Sequence, residues 1–151
     1  MKKMTAHRVS YTLDSSLDSV NKAEEEATKM AMRSGFDEDE AGRISMAVRE
    51  ATVNAVLHGN HYDTNKRVSL SFENTGNELV ITVQDQGAGL DPNSVADPLA
   101  PDNLLKQSGR GIFLIRAFMD EVRFRNLEPG TEITLIKRVH ATTSDHKEAS
   151  Q

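Results

Sequence analysis

The chain contains no cysteine. That excludes a disulfide framework, a thiolate nucleophile and a Cys-ligated metal, and it accords with a reducing, cytosolic setting. Long hydrophobic runs are also missing. No stretch approaches the roughly 20 apolar residues of a membrane span. The opening "MKKMTAHRVSYTL" is basic but lacks the apolar core of a signal peptide. Positive charge is not in excess either. The formal net charge is −5 over 151 residues, without the basic stripe that duplex DNA selects. Neither a direct nucleic-acid partner nor a membrane is therefore expected. There is no internal repeat and no low-complexity tract. The remaining composition, 37% hydrophobic and 27% charged, is that of an ordinary globular domain. At this length one domain is expected, large enough to bury a core. It is assigned to residues 1–139, with 140–151 a polar, frayed tail.

Periodicity supplies the elements. "HRVSYTL" (7–13) alternates as a strand. Residues 14–35 read as a helix with Ser15 or Ser16 at its cap, Gly35 at its end, and an apolar stripe of Leu17, Val20, Ala23, Ala27 and Met30. Residues 36–59 read as a second helix, capped by Asp37 and stopped by Gly59. Met30, Met32 and Met46 are assigned to the core, and the acidic run 24–26 to a solvated helix face. The period then changes to two. "RVSLSFE" and "ELVITVQD" form a hairpin around "NTGN". From Gly87 to about Ser108 the pattern dissolves, and three of the four prolines fall there (Pro92, Pro98, Pro101). A gap of about 20 residues is long for a compact domain and points to function. "GRGIFLIRAFMD" resumes as a helix, and "EVRFRN" and "TEITLIKR" make a second hairpin around "LEPG". The order β-α-α-β-β-loop-α-β-β predicts a two-layer α/β sandwich. Its sheet is mixed, mostly antiparallel and of about five strands, covered on one face by three helices.

The second helix carries a conflict. Taking Glu50 as zero and roughly 100° per residue, Ile44, Val48, Ala51 and Ala55 fall between about +100° and +160°. Ser45, Arg49, Thr52 and Val56 fall between about −100° and −160°, the arc best suited to water although Val56 interrupts it. That points Asn54 inward and sets Glu50 on an apolar flank with Met46, Val53 and Leu57. The two polar side chains are one turn apart and share a face. They could be satisfied buried groups, with Asn54 bonded to a strand end and Glu50 paired to an arginine. They could instead form a site, since an amide oxygen can coordinate Mg²⁺ and a carboxylate can accept a proton from a nucleophile.

Two glycine clusters bear on that choice. A lone G-x-G is uninformative, since chance supplies roughly 0.7 in a chain this long. "DQGAG", with Asp85, Gly87 and Gly89 at a strand end, arises by chance in about 4% of such chains. A strand-end Asp can accept a hydrogen bond from an exocyclic amine such as that of adenine; alternatively it caps its own turn. "SGRG", with Gly109 and Gly111 before a helix, leaves free N–H groups at a positive helix end, which suits phosphate; alternatively it is a flexible lead-in.

In order, E-x-x-x-N, D-x-G-x-G and G-x-G resemble the Bergerat ATP-binding fold of the GHKL superfamily, shared by DNA gyrase, a class of heat-shock chaperones, histidine kinases and MutL-type repair proteins. Within it, "REATVNAVLHGN", "DQGAGLDP", "SGRGIFLIRAFMDEV" and "GTEITLIKR" resemble the bacterial anti-sigma-factor serine protein kinases, over residues 8 to 138. The resemblance implies ATP and Mg²⁺ as cofactors. It implies Asn54 as the Mg²⁺ ligand, Glu50 as general base, and Asp85 as reader of the adenine amine, with Thr131 assisting through water. Gly87 and Gly89 would let the backbone pass close to the nucleotide. Residues 90 to 108 would form a lid, with Ser108, Gly109, Arg110 and Gly111 binding phosphates. His58 is given a structural or pocket-edge role.

The resemblance further implies a cytoplasmic anti-sigma factor and kinase. It would sequester a sigma factor, phosphorylate a serine on an anti-anti-sigma protein of the STAS type, and possess a homodimeric form. The alternative is a non-catalytic ATP-binding module that switches partners by sequestration. A histidine kinase fragment is disfavoured because no helical hairpin with a phosphoacceptor His precedes the domain. A chaperone or topoisomerase ATPase would need further domains.

Overall fold

The computed structural model describes residues 7–87 and 111–139. Among the described residues, five strands and three α-helices follow in the order β1 (His7–Asp14), α1 (Leu17–Arg33), α2 (Glu38–Val53), β2 (Arg67–Asn74), β3 (Glu78–Gln84), α3 (Gly111–Phe118), β4 (Glu121–Asn126) and β5 (Thr131–Arg138). A π-helical segment, Asn54–Gly59, continues α2. The strands form one sheet ordered β1-β2-β3-β5-β4. Each ladder is antiparallel among the described residues, where the sequence predicts a mixed but mostly antiparallel sheet. The reason is topological. β3 and β4 run in the same direction, but β5 folds back between them, so the two never pair.

Register places one apolar row per strand on a common face. Leu13 lies opposite Val68, Leu70 opposite Val83, Phe72 opposite Ile81, Ile81 opposite Leu135, and Val83 opposite Ile133. These side chains are buried, and the three helices cover them. α2 is central, packed against α1 on one side and α3 on the other, and it touches β3 and β5 beneath. The helix starts follow the expected chemistry. Ser16 caps α1 by accepting from Ser19 N, and Asp37 caps α2 by accepting from Glu40 N at 2.8 Å. Gly35, at φ +98°, ends α1.

α2 departs from the predicted wheel. Ser45, Thr52 and Val56, assigned to water, are buried, with Thr52 and Val56 fully so. Flanked by two helices, α2 is covered on both sides, and Thr52 satisfies its hydroxyl on Val48 O at 2.7 Å. Arg49 is half-buried and bridges to Glu24 of α1 at 2.9 Å. The half-open face is instead the one with Glu50, Val53, Asn54 and Leu57. Met46 lies there and is 40% exposed; Leu17 and Met32, also expected inside, are exposed. The acidic run is only partly solvated: Glu25 is exposed, while Glu26 accepts from Tyr11 Oη at 2.8 Å. That bond is the main reason its carboxyl titrates below the usual range. No described helix is long and apolar enough to cross a membrane.

Candidate functional site

The site is built around the end of β3. Asp85 follows the last residue of the strand and is only 7% exposed. Its backbone extends the ladder, donating N–H to Thr131 O at 3.0 Å. Its Oδ1 accepts from two backbone N–H groups, Gly87 at 3.0 Å and Thr131 at 3.1 Å. Oδ2 takes no hydrogen bond from the described residues and lies against the Cα of Gly59. Burial pushes the Asp85 carboxyl above its ordinary value, and the two N–H bonds oppose that only in part. The result is a carboxylate oriented through one oxygen, the other taking no partner among the described residues.

Three glycines make that corner possible. A Cβ on Gly59 would overlap the Asp85 carboxylate, one on Gly87 would overlap Gly59 O, and one on Gly130 would overlap Asp85 O. Gly130 also sits at φ +111° in the β4–β5 turn. The helix end, the strand end and the turn therefore meet with only the Asp85 carboxylate between them. Gly59→Ala should lower stability by about 1–3 kcal/mol, the usual cost of overpacking. Urea denaturation checks this, and an unchanged midpoint would contradict the close approach.

The end of α2 reaches this corner through its π-helical turn. Asn60 N–H bonds Ala55 O at 2.8 Å, an i→i+5 contact. A continued α-helix would rotate Gly59 about 140° from Asn54, and the wider π turn brings it back toward the Asn54 face. Such turns recur at functional sites. The expected stop at Gly59 is followed by His61 and Tyr62 at φ 51° and 60°. His58 is exposed, at the edge of this turn.

Glu50 and Asn54 are both half-buried: Glu50 lies on the flank with Met46, Val53 and Leu57 that the wheel gives it, and Asn54 is less enclosed than its inward placement implies. Neither side chain is hydrogen-bonded or ion-paired among the described residues. Among the described residues, then, neither an arginine nor a strand end holds them. They form a polar pair one turn apart on the half-open face of α2. The described residues contain no cluster of three or more His, Cys, Asp or Glu side chains. Mg²⁺ seldom takes an all-protein cage and is usually held by one or two protein oxygens plus phosphates and water. A single amide oxygen, without a partner among the described residues, fits a cation delivered with a polyphosphate.

Gly111 is buried at the first position of α3, where N–H groups lack helical partners. Gly89, Ser108, Gly109 and Arg110 lie outside the described residues, as does the expected lid. Thr131 engages the site through its backbone rather than its hydroxyl. Two participants escaped the sequence reading. Gly130 belongs to the turn "LEPG" and opens the matching segment "GTEITLIKR", but the sequence assigns it no role, although its place directly before Thr131 is a usable signal. Asn60 was not singled out. It is fully buried, and the only available sign was a polar residue immediately after a glycine-ended helix.

Comparison with known proteins fits this geometry. Residues 13–137 match the model of the histidine kinase-like ATPase domain. The serine-protein kinase RsbW of Bacillus subtilis is 32% identical over 123 residues, covering 78% of this chain and 76% of that one. The RsbW of Staphylococcus epidermidis is 34% identical over 116 residues, covering 71% of each. The anti-sigma F factor of Oceanobacillus iheyensis is 32% identical over 104 residues, covering 67% of this chain and 71% of its own. A crystal structure of the RsbU and RsbW domains of a Mycobacterium tuberculosis protein aligns at TM-score 0.64 and 21% identity. It covers 87% of this chain and 32% of that longer one, and it shares the fold. The chain thus belongs to the histidine kinase-like ATPases and, within them, to the family of the RsbW serine-protein kinases and anti-sigma F factors.

Proposed function

We propose that the chain binds ATP with Mg²⁺ and transfers the γ-phosphoryl group to a serine of an anti-anti-sigma protein of the STAS type, while its unswitched form sequesters a sigma factor. The observation that carries the nucleotide reading is the Asp85 corner. One carboxylate oxygen is saturated by backbone N–H groups, and the other remains to accept the adenine amine. Asn54 would hold Mg²⁺, which supplies charge neutralisation on the phosphates. Gly87 and Gly89 let the backbone run close to the nucleotide, and Ser108, Gly109, Arg110 and Gly111 serve the phosphates. Thr131 assists the base through water.

The chemistry asked of the protein is mainly positioning and electrostatics. Glu50, on the same helix face as Asn54, takes the proton of the serine hydroxyl. The serine oxygen forms its bond to the γ-phosphorus as the bond to the β,γ-bridging oxygen breaks, and ADP leaves. We place the protein in the cytoplasm, assign catalysis and sequestration to the domain at residues 1–139, and expect a homodimer.

Incubation with γ-labelled ATP, Mg²⁺ and the cognate antagonist should move label to a serine of that antagonist. Label remaining in ATP would contradict the kinase reading, and would favour the non-catalytic switch if nucleotide still binds.

A further inference from the structure

The fully buried Asn60 uses its side chain to join four parts of the fold. Its Nδ2 donates to Ser15 Oγ at 2.9 Å and to Arg67 O at 3.0 Å. Ser15 Oγ in turn donates to Lys66 O at 2.7 Å. These bonds fix Asn60 to the β1–α1 junction and to the start of β2. Its Oδ1 accepts from Gln86 N–H at 2.8 Å.

That last partner matters because the N–H belongs to the peptide unit directly after Asp85. The carbonyl of the same unit faces Gly130, with no room for a side chain between them. Gln86 is held a second time, through its side-chain Oε1, which accepts from Arg67 N–H at 2.6 Å. The peptide plane following Asp85 is thus fixed at both edges, and with it the direction of the Asp85 Cα–Cβ bond. The backbone N–H of Asn60 also closes the π turn that brings Gly59 against the carboxylate.

We propose that Asn60 is a positioning residue for base recognition: without touching the nucleotide, it sets the Asp85 carboxylate at the angle that selects an exocyclic amine. This deepens the proposed function and rests on it. A core asparagine serving stability alone would affect all nucleotides alike. A positioning asparagine affects the contact that distinguishes adenine.

The test compares ATP with inosine triphosphate, which carries a carbonyl where adenine carries its amine. Titrations with Mg²⁺ present use the full chain as wild type, Asn60→Ala, and a core truncation on α1, Met30→Ala. The wild type should prefer ATP by about 100-fold, the scale expected when a buried acceptor is left unpaired. Asn60→Ala should reduce that preference below about 10-fold. It should raise KM for ATP while leaving kcat at saturating ATP unchanged. Met30→Ala should lower the melting temperature and keep the preference. If Asn60→Ala does not fold, Asn60→Ser, too short to span to Gln86, should show the same loss of preference. A wild-type preference retained in the Asn60 variants, or lost equally in Met30→Ala, would overturn the positioning role alone. A wild type that does not distinguish the two nucleotides would overturn the adenine reading and this inference with it.

Discussion

Asp85→Asn should reduce ATP affinity by about 100-fold or more while leaving the nucleotide-free protein at least as stable as the wild type. Both halves follow from the two oxygens having different partners. An asparagine keeps its Oδ1 on the N–H groups of Gly87 and Thr131, so the strand end and its turn stay in place. The second position becomes an amide N–H₂, which sets donor against donor where the adenine amine arrives. A charge-assisted hydrogen bond contributes roughly 1.5–3 kcal/mol, and the opposed donors add to its loss.

The stability half has a sign that pH can check. Burial raises the Asp85 carboxyl above its unfolded value. The native state therefore holds more protons than the unfolded state between those two values, and this group's contribution falls as pH rises through them. Near neutrality the ionised, desolvated carboxylate works against folding, and Asn removes that opposition. Asp85→Asn should thus melt higher than the wild type at neutral pH, with the gap closing as pH falls toward the ordinary carboxylate range. ATP affinity of the wild type should weaken over the same acidification, because a protonated Asp85 loses its free acceptor. Calorimetric titration and melting curves across pH measure both. An Asp85→Asn variant that melts lower at neutral pH would show that the carboxylate contributes to the fold in a way this geometry does not contain.

Glu50→Gln should give the second large effect, on rate rather than on affinity. The substitution keeps size and polarity on a half-buried position that has no partner among the described residues, so little change in stability is expected. Losing a positioned general base typically costs 10²–10⁴-fold in rate. Phosphoryl transfer to the antagonist should fall by about that factor while ATP affinity changes by less than about threefold. Single-turnover transfer with saturating ATP separates the two. Undiminished transfer would remove Glu50 from the chemistry and direct attention to another acceptor for the serine proton.

Much of this was legible in the sequence, and the failures share a cause. The alternation of Val68, Leu70 and Phe72, and of Leu79, Ile81 and Val83, reports a sheet covered on one side, and register bears it out. Ser16 and Asp37 announce helix starts because their side chains compete for backbone N–H groups. Asp85 stood out because a strand-end aspartate followed by spaced glycines is rare by chance. The wheel on α2 failed because it assumes one covered side and a uniform rotation. Thr52 and Val56 are buried because α1 and α3 flank the helix, which depends on the path of the whole chain. The π turn after Val53 adds a change of rotation that no residue type encodes. Glu50 and Asn54 share a half-buried face, whereas the wheel sets Glu50 on an apolar flank and Asn54 inward. Asn60 went unread for a related reason. Its partners lie 45, 7 and 26 residues away, and no local pattern records such a meeting.

The most direct test is a crystal structure of the protein with Mg²⁺ and a non-hydrolysable ATP analogue. The account predicts the adenine amine within about 2.7–3.2 Å of Asp85 Oδ2, and the metal bound to Asn54 Oδ1 and to the phosphates. A nucleotide seated with its base away from Asp85, or a metal held without Asn54, would contradict it.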